Sequence, residues 1–318
     1  MKPKKKLKLA VVGVGSLGQH HARVYSEMED VALVAVVDSN MARAKEIASK
    51  YDCLPFDRID PLIGRIDAAS IVVPTAHHHP VAKVLLNQGV HLLLEKPMTN
   101  TLEEADDLIG VSERSAAMLQ IGHIEQFNAG FRTLKKYLQQ PRFFECHRIG
   151  PFVARGTDVH VILDLMIHDI DIILSLLTAE LTEIRAVGTS VLTPQIDIAN
   201  VRLAFSDGCV ANITASRVSQ DKLRKIRVFQ SDAYFSLDYM RQEMRVYRRV
   251  LKTDGTPSIE ISQVAAEKEE SLKAELSSFV RSIRSQAGPH VSGEDGRRAL
   301  EVALRIVDLI KNGQSSLP

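Results

Sequence analysis

The sequence predicts an α/β protein: a parallel, doubly wound sheet followed by an α+β domain built on a mostly antiparallel sheet. Three observations lead there. The first 120 residues alternate short apolar runs with amphipathic stretches, the pattern of strand–helix–strand units. A glycine-rich turn, Gly13-Val-Gly15-Ser16-Leu17-Gly18, separates the first apolar run from the first helical one. After Phe127 the texture changes to β-rich, period-two runs. At 318 residues the chain exceeds one ordinary core, so two domains are expected. We place them at 1–122 and 123–318, with the last helix free to pack back on the first domain.

Leu7 to Val12 reads as a strand and Ser16 to Glu29 as a helix. Val31 to Val37 is almost entirely apolar, as a strand buried on both faces should be. Met41 to Tyr51 reads as a helix, Ala68 to Val73 as a strand and Pro80 to Gln88 as a helix. His91 to Leu94 is a strand, Leu102 to Arg114 a helix, and Ala117 to Ile121 a strand. Downstream, Ala129 to Leu138 is helical in pattern and Arg142 to Ile149 is a strand. A long helix starts near Val161; strands follow at 184–192, 199–205, 209–216, 225–230, 233–238 and 244–251. Asp207-Gly208 is a tight hairpin signal. Helices at Leu272 to Ser285 and Gly293 to Ile310 close the chain.

Composition excludes several classes. Hydrophobic residues make up 45% and charged residues 25%, and 40 Lys and Arg nearly balance 39 Asp and Glu. Nothing in that balance favours nucleic acid as a partner. The lysines of MKPKKKLK read as a solvated leader into the first strand. Cys53, Cys146 and Cys209 are widely spaced and odd in number, which fits a reducing cytoplasm. No signal peptide is expected, because glycines interrupt the first apolar run. A membrane span over 161–177 would carry Asp164, His168, Asp169 and Asp171, a prohibitive load.

The glycine turn carries the first functional reading. Gly13 permits a tight turn, Gly15 lets a pyrophosphate approach the backbone, and Gly18 lets the helix pack close to the sheet. A helix N-terminus then faces the phosphates. Asp38 ends the next strand, where an acid receives ribose hydroxyls and repels a 2′-phosphate. NAD is therefore favoured over NADP, with Arg43 nearby as the counterargument. A glycine turn with an ordinary surface aspartate is the plain alternative.

Two further groups carry chemistry. Glu95-Lys96-Pro97 follows a strand at the carboxyl end of the sheet, where open α/β folds bind ligands. A lysine there could hold a reacting oxygen; a solvated turn is the alternative. In LDLMIHDIDIILSLL, helical spacing puts Asp164, His168, Asp171 and Ser175 on one polar stripe. An aspartate one turn from a histidine orients the imidazole and stabilises its charged form; a solvated face is the alternative. Asp169 falls on the apolar side and calls for a hydrogen-bonding partner. The run His77-His78-His79 cannot converge on one ion from a regular element, so no metal site is expected.

Together these pieces resemble the glucose–fructose oxidoreductase, inositol dehydrogenase and MocA family. The resemblance rests on GVGSLGQHHARVY, the spacing from Pro74 and His78 through Gly89 to Glu95-Lys96-Pro97, IGHIEQFN at 121–128, the Asp164 and His168 helix, and the closing SGEDGRRALEVALRIV. It implies a Rossmann domain followed by an open-faced sheet domain that serves homo-dimer or homo-tetramer contacts. It implies Lys96, Asp164 and His168 as the catalytic set of an NAD(P)-dependent dehydrogenase acting on CH–OH groups. It places Gly13, Gly15, Ser16, Leu17, Gly18, Asp38, Pro74, Thr75, His78, Glu95 and Lys96 around the cofactor. GHIEQFN, RIGPFVARGTDV and LDLMIHDIDI look like the sub-group that oxidises the 3-hydroxyl of UDP-N-acetylglucosamine or related sugar nucleotides. On that likeness Asn128, Arg148 and Arg155 join Lys96, Asp164 and His168 at the substrate, the arginines facing the diphosphate or, alternatively, lying on the surface. A polyol, inositol or free-sugar dehydrogenase, a reductase, and a non-catalytic NAD-binding sugar sensor remain the alternatives.

Overall fold

Six strands form a parallel sheet in the computed structural model, which describes residues 5–153 and 159–314. They are β1 (Leu7–Val12), β2 (Val31–Val37), β3 (Leu54–Phe56), β4 (Ala68–Ile71), β5 (His91–Glu95) and β6 (Leu119–Gly122), ordered β3-β2-β1-β4-β5-β6. Every pair is parallel. The crossovers run through α1 (Gly18–Ser26), α2 (Met41–Tyr51), α3 (His78–Asn87) and α4 (Leu102–Ser115). The strand order reverses between β1 and β4, the switch point at which such sheets bind ligands beyond their carboxyl ends. Residues Leu9 to Val12 and Leu92 to Leu94 are buried because helices cover both faces. Asn40 caps α2 by accepting from the N–H groups of Ala42 and Arg43, which starts that helix three residues after Asp38.

The first unit is discontinuous. Residues up to Ile124 group with Ser271–Arg297, and Glu125–Glu270 group with the chain from Arg298. This departs from a second domain running unbroken from 123 to 318. The reason lies in α7 (Ser271–Ser285), whose Leu272, Leu276, Phe279 and Val280 share one core with Leu9, Val11, Val24, Tyr25 and Val31. It is thus α7, rather than the body of the last helix, that completes the first unit.

The second unit holds eight strands: β7 (Phe143–Ile149), β8 (Leu181–Thr189), β9 (Ile198–Phe205), β10 (Val210–Ser216), β11 (Leu223–Phe229), β12 (Ala233–Asp238), β13 (Glu243–Leu251) and β14 (Pro257–Ala265). Their order is β14-β13-β12-β11-β7-β10-β9-β8, antiparallel except for β7 beside β10. Alternation sorts the faces: Phe144, Cys146 and Arg148 of β7 are buried, while Phe143, Glu145, His147 and Ile149 are half-buried. The buried face shares a core with α5 (Ala129–Lys135), α6 (Ile167–Leu176) and, in α8 (Gly293–Gln314), Ala299, Val302, Ala303 and Ile306.

The long helix expected from Val161 is not uniformly α. Ile162–Met166 forms a wider π turn, and α6 begins at Ile167. The chain enters that turn past a loop pinned by Asp197, which is fully buried. Its Oδ2 accepts from the N–H groups of Val191 (2.9 Å), Leu192 (2.7 Å) and Thr193 (2.8 Å), and Oδ1 accepts from Thr193 Oγ1 (2.7 Å). Burial alone would raise this carboxyl; the four hydrogen bonds outweigh it and bring its pKa to about 2.

Candidate functional site

In the first unit the predicted cofactor residues follow the carboxyl ends of four neighbouring strands. Gly13 to Gly18 follow β1, Asp38 follows β2, Pro74 and Thr75 follow β4, and Glu95 and Lys96 end β5. Gly13 has φ +87°, and a Cβ there would meet the Val72 carbonyl oxygen at 2.6 Å. A Cβ on Gly18 would collide with the Gly13 carbonyl oxygen. Gly15 differs: it is exposed, and a Cβ would meet nothing within 4 Å. Two glycines are therefore required by packing, and the third lies open beside the exposed Ser16 and Leu17. Helix α1 starts there with no side-chain cap, so its N-terminal dipole faces outward. This cradle fits a dinucleotide pyrophosphate.

The Asp38 carboxylate accepts from the N–H groups of Val14 (3.0 Å) and Asn40 (2.9 Å), which fixes it across the mouth of the glycine turn. Arg43 is committed elsewhere: Nε donates to the Val14 carbonyl, and its other nitrogens bond Glu46 and Gln19.

Glu95 turns inward rather than toward a ligand. Its Oε1 lies 3.3 Å from Nε2 of the buried His21, and Oε2 accepts from the Lys96 N–H at 3.2 Å. A Cβ on Gly122 would press on this carboxylate at 3.0 Å. Burial would raise Glu95, yet His21 and Lys96 together hold it below the usual carboxylate range. The assignment of Glu95 to the cofactor is corrected accordingly: its oxygens are occupied within the fold, where they seat the Lys96 backbone. His78 is likewise buried, with Nδ1 2.9 Å from the Pro97 carbonyl and Nε2 2.9 Å from the Val73 carbonyl. It ties the segment after β4 to the one after β5, and burial lowers its pKa. In that position it braces the segments that carry Pro74, Thr75 and Lys96. Its neighbour His79 pairs with Asp107 instead (2.7 Å). Lys96 is half-buried.

In the second unit Asp164 is half-buried within the π turn, and His168 is buried in the first turn of α6. The expected stripe does not continue beyond them. Asp171 is buried and accepts from Gln126 Nε2 at 2.8 Å, while the exposed Ser175 donates to the Ile172 carbonyl. Helix α6 is enclosed on nearly all sides, so its aspartates need protein partners rather than solvent.

Asp169 has such a partner in Arg148. The guanidinium is 1% exposed and donates twice to Asp169 (2.9 and 3.0 Å) and once to Glu125 (2.7 Å). It also lies over the Tyr239 ring at 5.3 Å. Burial disfavours the Arg148 charge, but Asp169 and Glu125 prevail and raise its pKa. The expectation that Arg148 meets a substrate diphosphate is corrected: a buried guanidinium spent on two carboxylates offers a ligand nothing. Asn128 is corrected for the same reason. Its Oδ1 accepts from Gly130 and Phe131, capping α5, and Nδ2 donates to the Tyr239 carbonyl. Arg155 lies outside the described residues. His21, Glu125 and Gln126 were not singled out from the sequence; the signal available was an ionisable or amide residue at a position due for burial.

Comparison with known proteins agrees with this architecture. Residues 7–123 match the oxidoreductase family with the NAD-binding Rossmann fold, and residues 120–236 match the GFO/IDH/MocA C-terminal domain. The UDP-N-acetylglucosamine 3-dehydrogenase of Acidithiobacillus ferrooxidans is 38% identical over 94% of this chain and 96% of its own. A solved structure of that enzyme superposes with a TM-score of 0.91, at 36% identity over 96% of this chain and 98% of the other. The myo-inositol 2-dehydrogenase of Thermotoga maritima is 25% identical over 92% of this chain and 93% of its own. Among the described residues no helix is long and apolar enough to cross a membrane. With both halves matched in order and one relative similar over nearly its full length, the chain is an oxidoreductase of the GFO/IDH/MocA family.

Proposed function

We propose that the protein is a cytoplasmic, NAD-dependent dehydrogenase that oxidises a secondary hydroxyl of a sugar, specifically the 3-hydroxyl of a UDP-N-acetylhexosamine-type sugar nucleotide. The observation that carries this reading is the near full-length similarity to a UDP-N-acetylglucosamine 3-dehydrogenase. NAD is preferred to NADP because an acid such as Asp38 at the end of β2 receives ribose hydroxyls and repels a 2′-phosphate, and Arg43 is engaged by Val14, Gln19 and Glu46. Gly13, Gly15, Ser16, Leu17 and Gly18 would cradle the pyrophosphate. When bound, NAD would supply the acceptor for hydride leaving the carbinol carbon. His168 accepts the hydroxyl proton, and Asp164 stabilises the imidazolium that forms. Lys96 donates to the same oxygen and offsets its developing negative charge. The free state of all three cysteines fits the cytoplasm. The less covered face of the second unit's sheet would pair with a further copy, giving a dimer or tetramer.

A second reading, oxidation of a neutral polyol, rests on the likeness to myo-inositol 2-dehydrogenase. NADH formation from UDP-N-acetylglucosamine, myo-inositol and free glucose separates the two. In His168→Ala, kcat should fall by about 10²- to 10⁴-fold while NAD affinity stays unchanged. Undiminished turnover by that variant would sink the assignment.

A further inference from the structure

Arg224 on β11 stands directly opposite Arg148 on β7 in the antiparallel register. Both follow the alternation of Phe144, Cys146, Ile226 and Val228, so both side chains point to the covered face of the sheet. There the likeness ends. The Arg148 fork is saturated by Asp169 and Glu125. Arg224 is half-buried, and among the described residues no hydrogen bond or ion pair reaches its guanidinium. Burial, then the like charge of Arg148, press its pKa below the usual arginine value, while Glu125, Asp169 and Asp164 act against them. Its cross-strand neighbour Arg148 bonds Asp169, the residue next to His168, so Arg224 belongs to the stretch of sheet beneath the start of the helix assigned to the reacting centre. A guanidinium stays charged in any such setting. Half-desolvated and without an acceptor among the described residues, it is an unfavourable arrangement there. The arrangement becomes favourable when a ligand brings anionic oxygens.

The surrounding backbone is built to hold this position. Leu223 pairs with Ile149 at the end of β7, Gly150 donates to the Ser216 carbonyl, and Ser219 donates to the Gly150 carbonyl. Three strand ends are thereby tied together at the point where the chain leaves β7 on its way to Asp164.

We propose that Arg224 binds the diphosphate of the substrate, and that it thereby selects sugar nucleotides over neutral polyols. A guanidinium matches two phosphate oxygens in a fork, which a lysine cannot reproduce. The inference rests on the sugar-nucleotide reading above and supplies the phosphate contact that Arg148 cannot make.

Titration of UDP into the NAD-loaded protein tests it, with Arg224→Gln, Arg224→Lys and, as control, Arg227→Gln, which removes an exposed arginine paired with Glu145. Arg224→Gln should weaken UDP binding by about tenfold or more, Arg224→Lys by less, and Arg227→Gln not at all. In turnover, KM for UDP-N-acetylglucosamine should rise in Arg224→Gln while kcat stays within a few-fold. Unchanged UDP affinity in Arg224→Gln overturns the proposal, as does a wild-type protein that binds no UDP. A fall in kcat at constant KM also overturns it, making Arg224 a positioning residue for Asp164. Should Arg224→Gln fail to fold, Arg224→Lys decides, and full UDP affinity in that variant refutes the fork. A protein that binds UDP through Arg224 yet oxidises no UDP-N-acetylglucosamine would sink the dehydrogenase reading alone. Oxidation with KM indifferent to Arg224 would sink this inference alone.

Discussion

Replacing Arg148 by Met leaves Asp169 and Glu125 buried against each other without their shared cation. Three charge-assisted hydrogen bonds vanish together. Removing one partner from a buried ionic cluster costs about 3–5 kcal/mol, most of it the uncompensated charge left behind. In a unit of about 170 residues each kcal/mol shifts Tm by about 2–4 °C, so the melting of the second unit should fall by on the order of 10 °C. Its pH dependence has a definite sign. Burial already raises Asp169 above its usual range, with Arg148 as the main opposing influence; without Arg148 its pKa rises further. An acid with a raised folded-state pKa loses stability as pH climbs through that window, so the deficit should be smaller at pH 5 than at pH 8. The double variant Arg148→Met, Asp169→Leu removes cation and anion together and should recover much of the loss. Circular dichroism melts of the three variants measure all of this. A loss under about 1 kcal/mol for Arg148→Met, a value typical of exposed pairs, would refute the picture of a buried ionic clamp.

Three other outcomes are expected. Gly18→Ala should abolish or severely destabilise the first unit, since its Cβ would occupy the space of the Gly13 carbonyl oxygen; the thermal melt reads this directly. Gly15→Ala should leave the melt unchanged, because nothing lies within 4 Å of the added carbon, yet weaken NAD binding by about tenfold, as titration calorimetry would show. Asp197 contributes about 2 kcal/mol at pH 7 through its depressed pKa. That contribution is present above pH 4 and lost as pH falls toward 2, so urea unfolding of Asp197→Asn and the wild type should converge in acid.

The parts legible in the sequence are those whose requirement is local. A tight turn needs Gly13, close helix packing needs Gly18, and Asp38 sits at a fixed distance from them, so strand, turn and helix could all be read in order. The antiparallel sheet was legible through its period-two runs, although β14 was missed: Ser258 to Ser262 alternates, but the strand is exposed along nearly its whole length and buries neither face. The π turn at Ile162–Met166 escaped notice because widening one turn changes register without changing composition. Arg148 was misread for a different reason. Its strand position was visible, but its partners lie 21 and 23 residues away, on elements that only the fold brings beside it. For Glu95 and His78 the sequence likewise shows the position but not the internal partners, His21 for the one and the Pro97 and Val73 carbonyls for the other.

The return of α7 to the first unit also sets a schedule for folding during synthesis. The strands and glycine turn of that unit are complete by Ile124, but Leu272, Leu276, Phe279 and Val280 belong to the same core. At about 5–20 residues per second, a ribosome needs on the order of ten to thirty seconds to bridge that gap. Throughout that time α1 and the first strand lack one of their covering layers. The dinucleotide cradle is therefore among the earliest parts of the protein to be written and among the last to be sealed.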